Sequence, residues 1–191
     1  MLRLAVLLLV APLTVAPQQA TKVPEEDGFV PLINGTDLPG WQGNRDAWKL
    51  EDGLLVGRSD GSSPAVLVVS GRDFGDFELR FEARVHRGAV RVKMRGPGPG
   101  PLGVALEINT KTAEWFGNGG SVFVAANNHP DEWNHYRVVV VRASHFKLWQ
   151  NGLPSALELA SSHTDAKGKL SLHLSEGKPS DITLRRMRIR E

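Results

Sequence analysis

The chain has 191 residues, of which 41% are hydrophobic and 23% charged, and its formal net charge is +2. That is long enough for one domain with a buried core, and the interspersed lysines, arginines and acids exclude the basic block of a nucleic-acid footprint. Cysteine is absent, which excludes disulfides, thiol nucleophiles and thiolate metal sites.

Residues 1–20 carry Arg3 and then an apolar stretch to about Val15, followed by small residues. This predicts a signal peptide, cut after Ala16 or Ala20, and a secreted or periplasmic protein. The apolar stretch falls short of the about 20 residues a membrane span needs, so no stable span is expected once it is removed. Residues 21–28 read as a short polar leader and 29–191 as a single domain.

Period-two patterns dominate that domain. FELRFEARV (77–85) sets Phe77, Leu79, Phe81, Ala83 and Val85 on one face and its charges on the other. RGAVRVKMRGPGPGPLGVALEIN (87–109) predicts two strands joined by a Gly-Pro loop over 96–101. Arg91, Lys93 and Arg95 alternate with Val90, Val92 and Met94; Ala105, Glu107 and Asn109 alternate with Val104, Leu106 and Ile108. Pairing that sets Arg95 opposite Gly103 sets Lys93 opposite Ala105 and Arg91 opposite Glu107, about 4.5–5.5 Å apart at Cβ. Further on, Trp115 and Phe116 adjoin a glycine-rich loop over 117–120. HYRVVVVRA (135–143) predicts a strand covered on both faces. Asn151-Gly152 predicts a type I′ hairpin turn. KLSLHLS (169–175) alternates leucines with Ser171, His173 and Ser175, and DITLRRMRIRE (181–191) breaks its alternation at Arg185-Arg186, the mark of a bulge. Short strands at intervals of roughly 8–12 residues, with turn signals between, predict an all-β sandwich or barrel carrying at most one or two short helices.

Six motifs occur in order: FVPLINGTDLPGW (29–41), AWKLEDGLLVG (47–57), FGDFELRFEARV (74–85), DEWNHYRVVV (131–140), KLWQNG (147–152) and ITLRRMRIRE (182–191). Together they resemble the 3-keto-disaccharide hydrolase domain family, also called DUF1080, whose related names are 3-keto-glucoside-1,2-lyase and 3-keto-2-hydroxy-glucal hydratase. The resemblance implies a concanavalin A-like jelly roll of two antiparallel sheets, exported, with sugar chemistry on the face of one of them. The chain departs from the family pattern at that face. Ala105 stands for an acid, Glu107 for an amide, Asn109 for an acid and His173 for a glutamine, and the family's Asn-Ser-Gly positions are rewritten around Ala89, Val90 and Arg91.

Two functions stay open. In the first, the protein cleaves 3-keto-glycosides by elimination and hydration, with net hydrolysis. The ketone acidifies the neighbouring C–H, so one base, Glu107, starts the elimination. Arg91, Lys93 and Arg95 hold the developing enolate, His173 protonates the leaving group, and Asn109 and Trp115 contact the sugar. Two-carboxylate hydrolysis needs a second acid, and alternation across residues 87–109 supplies only Glu107. No cofactor is required by this reading, although Glu107, Asn109 and His173 leave room for a divalent metal. In the second, the sandwich binds a small carbohydrate without catalysis. The cationic row also has a plain alternative as a solvated sheet face, and Trp115 one as packing under its own loop.

Overall fold

The structure is a computed structural model describing residues 28–191, except 39, 70, 97–102, 118–119, 126–127, 143, 156–157 and 161–165, with backbone alone over 120–125. The expected signal peptide, the leader up to residue 27, and most of the Gly-Pro loop therefore lie outside the described residues. The described residues hold sixteen strands and no helix, so none is long and apolar enough to cross a membrane. In chain order they are β1 (Val30–Pro31), β2 (Trp41–Gly43), β3 (Trp48–Glu51), β4 (Leu54–Ser59), β5 (Ala65–Val69), β6 (Phe77–Arg87), β7 (Ala89–Gly96) and β8 (Val104–Asn109), then β9 (Ala113–Gly117), β10 (Gly120–Ala125), β11 (Asn134–Val141), β12 (His145–Gln150), β13 (Leu153–Pro154), β14 (Leu159–Ala160), β15 (Lys169–Leu174) and β16 (Ser180–Arg190).

Two antiparallel sheets form the sandwich. The first runs β13-β12-β11-β6-β16-β4-β3, with β1 on β16 and β14 on β12; the second runs β10-β9-β8-β7-β15-β5-β2. Alternation explains the core, because each strand turns every second side chain inward. Leu79, Phe81 and Ala83 from β6 and Ile182 and Leu184 from β16 meet Val90, Val92, Leu106 and Leu172 from the second sheet, all buried.

Local signals match the predicted geometry at two places. Asn151 (φ 50°) and Gly152 (φ 82°) both occupy the left-handed region a type I′ turn needs, with Gln150 paired to Leu153. Arg186 (φ 51°) is the bulged residue of β16, where the register slips between Arg185 and Arg188 and returns Met187 and Ile189 to the core. One expectation needs correcting. β11 is covered on one face only, because Val138 and Val140 are buried while Val139 and Val141 are half-buried on the outer surface.

The outer face of the first sheet is an arginine lattice. Arg80, Arg137 and Arg190 donate to Glu78, and Arg185 and Arg186 to Glu82. Burial raises the Glu78 pKa, but the hydrogen bonds from Arg137 and Arg80 outweigh it and hold the carboxyl at about 2. Arg84 and Arg185 stack over Trp133 at 4.7 and 3.9 Å, and Arg137 over Trp149 at 4.2 Å.

Candidate functional site

The outer face of the second sheet carries the candidate site, and the strand register builds it. One rung runs Val66, His173, Arg91, Glu107, Glu114 across β5, β15, β7, β8 and β9. The next runs Val68, Ser171, Lys93, Ala105, Phe116. The predicted pairings of Arg91 with Glu107 and of Lys93 with Ala105 are both present.

Arg91 Nε donates to Glu107 Oε2 at 2.6 Å, and its guanidinium lies 4.7 Å from the centre of the Phe116 ring. The Glu107 side chain is 16% exposed and that of Arg91 47%, so the acid is fixed from the side and reached from above. A cleft of about 420 Å³ opens at this end of the face, walled by Ala89, Arg91, Glu107, Asn109, Ser175 and Lys178 among others. That size suits a small sugar.

His173 Nε2 and Ser171 Oγ are in hydrogen-bond contact at 2.8 Å. Burial, then the charges of Lys93 and Arg91, push the His173 pKa down to about 4. At neutral pH His173 is therefore an uncharged imidazole. Protonation of His173 is thus disfavoured beside these cations, which bears on its expected role as proton donor to a leaving group. Lys93 is 7% exposed, and burial, with the neighbouring Arg91 charge, lowers its pKa.

Two predicted members leave the face. Arg95 is 1% exposed, its guanidinium covered. The reason is a bulge: β7 and β15 slip register there, with Leu170 paired to Met94 and Lys169 to Gly96, and Arg95 takes φ 56°. Its guanidinium instead donates to the Gly75 carbonyl (2.6 Å) and Asp76 Oδ1 (2.6 Å), tying the bulge to the start of β6. Gly168 packs on that bulge so closely that a Cβ would sit 2.6 Å from the Arg95 carbonyl carbon. Trp115 is fully buried, opposite Leu106 in register, with its ring edge-on to Phe146 at 5.8 Å. A side chain on the core side of β9 cannot cover a sugar, so packing is its role. Asn109 sits at the rim of the cleft, but its side chain caps a turn, accepting from the Lys111 and Thr112 amides and donating to Thr112 Oγ1.

Three neighbours on this face are not among the expected site residues. Glu114 stands beside Glu107 and accepts from Thr112 Oγ1 at 2.8 Å. Phe116, half-buried, takes the outward aromatic place expected of Trp115, and Ser171 Oγ contacts His173. The alternation of AEWFG (113–117) contains the first two, because Ala113 and Trp115 inward puts Glu114 and Phe116 outward. The donor set does not fit a metal. Glu107 is taken by Arg91, Asn109 by its turn, and His173 stands beside two cations; among the described residues no three histidines or acids converge.

The two antiparallel sheets form a concanavalin A-like jelly roll, and the candidate site lies on the polar outer face of the second sheet. The model of the 3-keto-alpha-glucoside-1,2-lyase-like domain family matches residues 28–190, and the chain belongs to that family. Among solved structures it is similar to a candidate glycosyl hydrolase from Parabacteroides distasonis ATCC 8503, with 18% identity, a TM-score of 0.64 and coverage of 85% of this chain and 98% of that one. It is similar also to the Emp47p carbohydrate recognition domain (15%, TM-score 0.59, 86% and 95%) and to a laminarinase from Flavobacterium sp. UMI-01 (10%, TM-score 0.62, 83% and 97%). At these identities the likeness is one of fold. No curated protein matches the sequence.

Proposed function

We propose that this is an exported carbohydrate-active protein that cleaves 3-keto-glycosides by elimination followed by hydration. The observation that carries the reading is a carboxylate, Glu107, fixed by Arg91 at the wall of a sugar-sized cleft in a domain of this family. Glu107 takes the proton from the carbon next to the ketone. Arg91 and Lys93, on the same face, stabilise the negative charge that develops on the ketone oxygen. Neutral His173, held by Ser171, offers the sugar a hydrogen-bonding edge rather than a proton. The test is incubation of the purified protein with 3-keto-sucrose, 3-keto-trehalose and simple 3-keto-glucosides, with product analysis. Release of the aglycone by wild type and its loss in Glu107→Gln support the reading; no release from any of them ends it.

One observation favours a second reading, sugar binding without catalysis. The Glu107 oxygen that faces Arg91 is already satisfied, and a paired carboxylate serves as well to accept sugar hydroxyls as to take a proton. Saturable binding of the same sugars by calorimetry, unchanged in amount after long incubation, is the result that selects it.

A further inference from the structure

Lys93 is the odd member of its row. Arg91 and Arg95, two residues to either side, each have a carboxylate, Glu107 and Asp76. Lys93, nearly as buried as Arg95, has no ion pair or hydrogen bond among the described residues. Its neighbours across the strands are Ser171 and Ala105, neither of them an acid. The side chain as a whole is largely covered, and Nζ is not one of the fully buried nitrogens that lack a partner. The side chain across from it, Ala105, is small, and Glu107 is its diagonal neighbour, about 7–8 Å away at Cα. A desolvated lysine set beside another cation and given no counter-ion is the environment of a nucleophilic amine rather than of a structural charge.

We propose that Lys93 captures the ketone of a keto sugar as a ketimine on this face. The proposal rests on the reading above and replaces simple charge stabilisation by a covalent electron sink. Nζ adds to the ketone carbon, and one water leaves. Glu107 then removes the proton from the adjacent carbon, and the electron pair moves into the C–C bond as the C=N pair moves to nitrogen. The nitrogen lone pair returns and expels the glycosidic oxygen, which takes the proton Glu107 had accepted. Water hydrolyses the ketimine and restores the amine. No oxidant or reductant enters. The lowered pKa of Lys93, from burial and then Arg91, raises the share of free amine available at neutral pH.

The experiment incubates the full-length mature protein with 3-keto-trehalose and sodium cyanoborohydride at neutral pH, followed by intact mass and peptide mapping. The expected result is one adduct equal to the sugar mass less one oxygen, mapped to Lys93. It accumulates in Glu107→Gln, where the later proton removal is blocked, and it is lost with turnover in Lys93→Arg at an unchanged melting temperature. An adduct on Lys93 without any turnover supports the capture and overturns the elimination reading. Normal turnover with no adduct overturns the capture and leaves the elimination reading standing. An adduct spread over surface lysines, or retained in Lys93→Arg, also overturns it. If Lys93→Arg does not fold, the peptide map of the wild type decides alone.

Discussion

His173 is the group whose environment yields the sharpest expectation. Its pKa is about 4 in the folded chain against 6.5 for a free imidazole, because it is buried and faces Lys93 and Arg91. Between those values the unfolded chain binds a proton that the folded chain refuses. Stability from this group is thus fully present above pH 6.5, falls as the pH drops, and is gone below about 4. At about 1.4 kcal/mol per unit the gap is at most about 3.5 kcal/mol, and solvent screening on this half-open face leaves about 1–2 kcal/mol. The perturbation is His173→Gln, which keeps a polar group within reach of Ser171 and cannot titrate. Urea unfolding of both proteins, from pH 7.5 to 4, should show the wild type losing about 1–2 kcal/mol more than the variant. In heating experiments that is about 2–8 °C. If both lose stability in parallel through this window, or if NMR gives His173 an ordinary titration near 6.5, the reasoning about the cationic rung is wrong.

Glu107→Gln should lower turnover of a 3-keto-glycoside by about 10²–10⁴-fold while moving the melting temperature little, because a partly exposed ion pair contributes about 0–1 kcal/mol; steady-state kinetics beside calorimetry checks both. Arg95→Met should destabilise by about 1–3 kcal/mol in chemical denaturation and leave sugar affinity alone, since it takes the donor from the Gly75 carbonyl rather than touching the face, while Asp76 keeps the Arg142 amide. Trp115→Ala should cost about 3–5 kcal/mol as a core cavity, whereas Phe116→Ala should stay within about 1 kcal/mol and weaken sugar binding; denaturation and titration calorimetry on the pair separate the two aromatics.

The residues that could be placed from sequence were those whose position depends on one strand or one hairpin. The Arg91–Glu107 rung follows from alternation and a single register, and the Asn151-Gly152 turn and the slip at Arg186 are written in two or three residues each. Arg95 escaped because its bulge is set by β15, more than seventy residues away, and by the Gly75 and Asp76 groups that receive its guanidinium. Trp115 follows the same alternation as Leu106, its partner in register, and an aromatic beside a glycine loop still turns inward with its strand. The charge state of His173 could not be read from KLSLHLS, because it is imposed by β7 lying alongside.

Asn128 ties the two sheets together through one amide. Its side-chain nitrogen donates to the Asn109 and Thr112 carbonyls at the end of the Glu107 strand, at 2.6 and 2.7 Å. Its oxygen accepts from Tyr136 on β11 and Gln150 on β12. Asn128→Asp would replace a group that donates twice by one that cannot donate when ionised. Two carbonyls would lose their donor while a charge entered the seam. Asn128→Asp should therefore lose the order of the Asn109 turn, and with it the rim of the cleft, before the core begins to loosen.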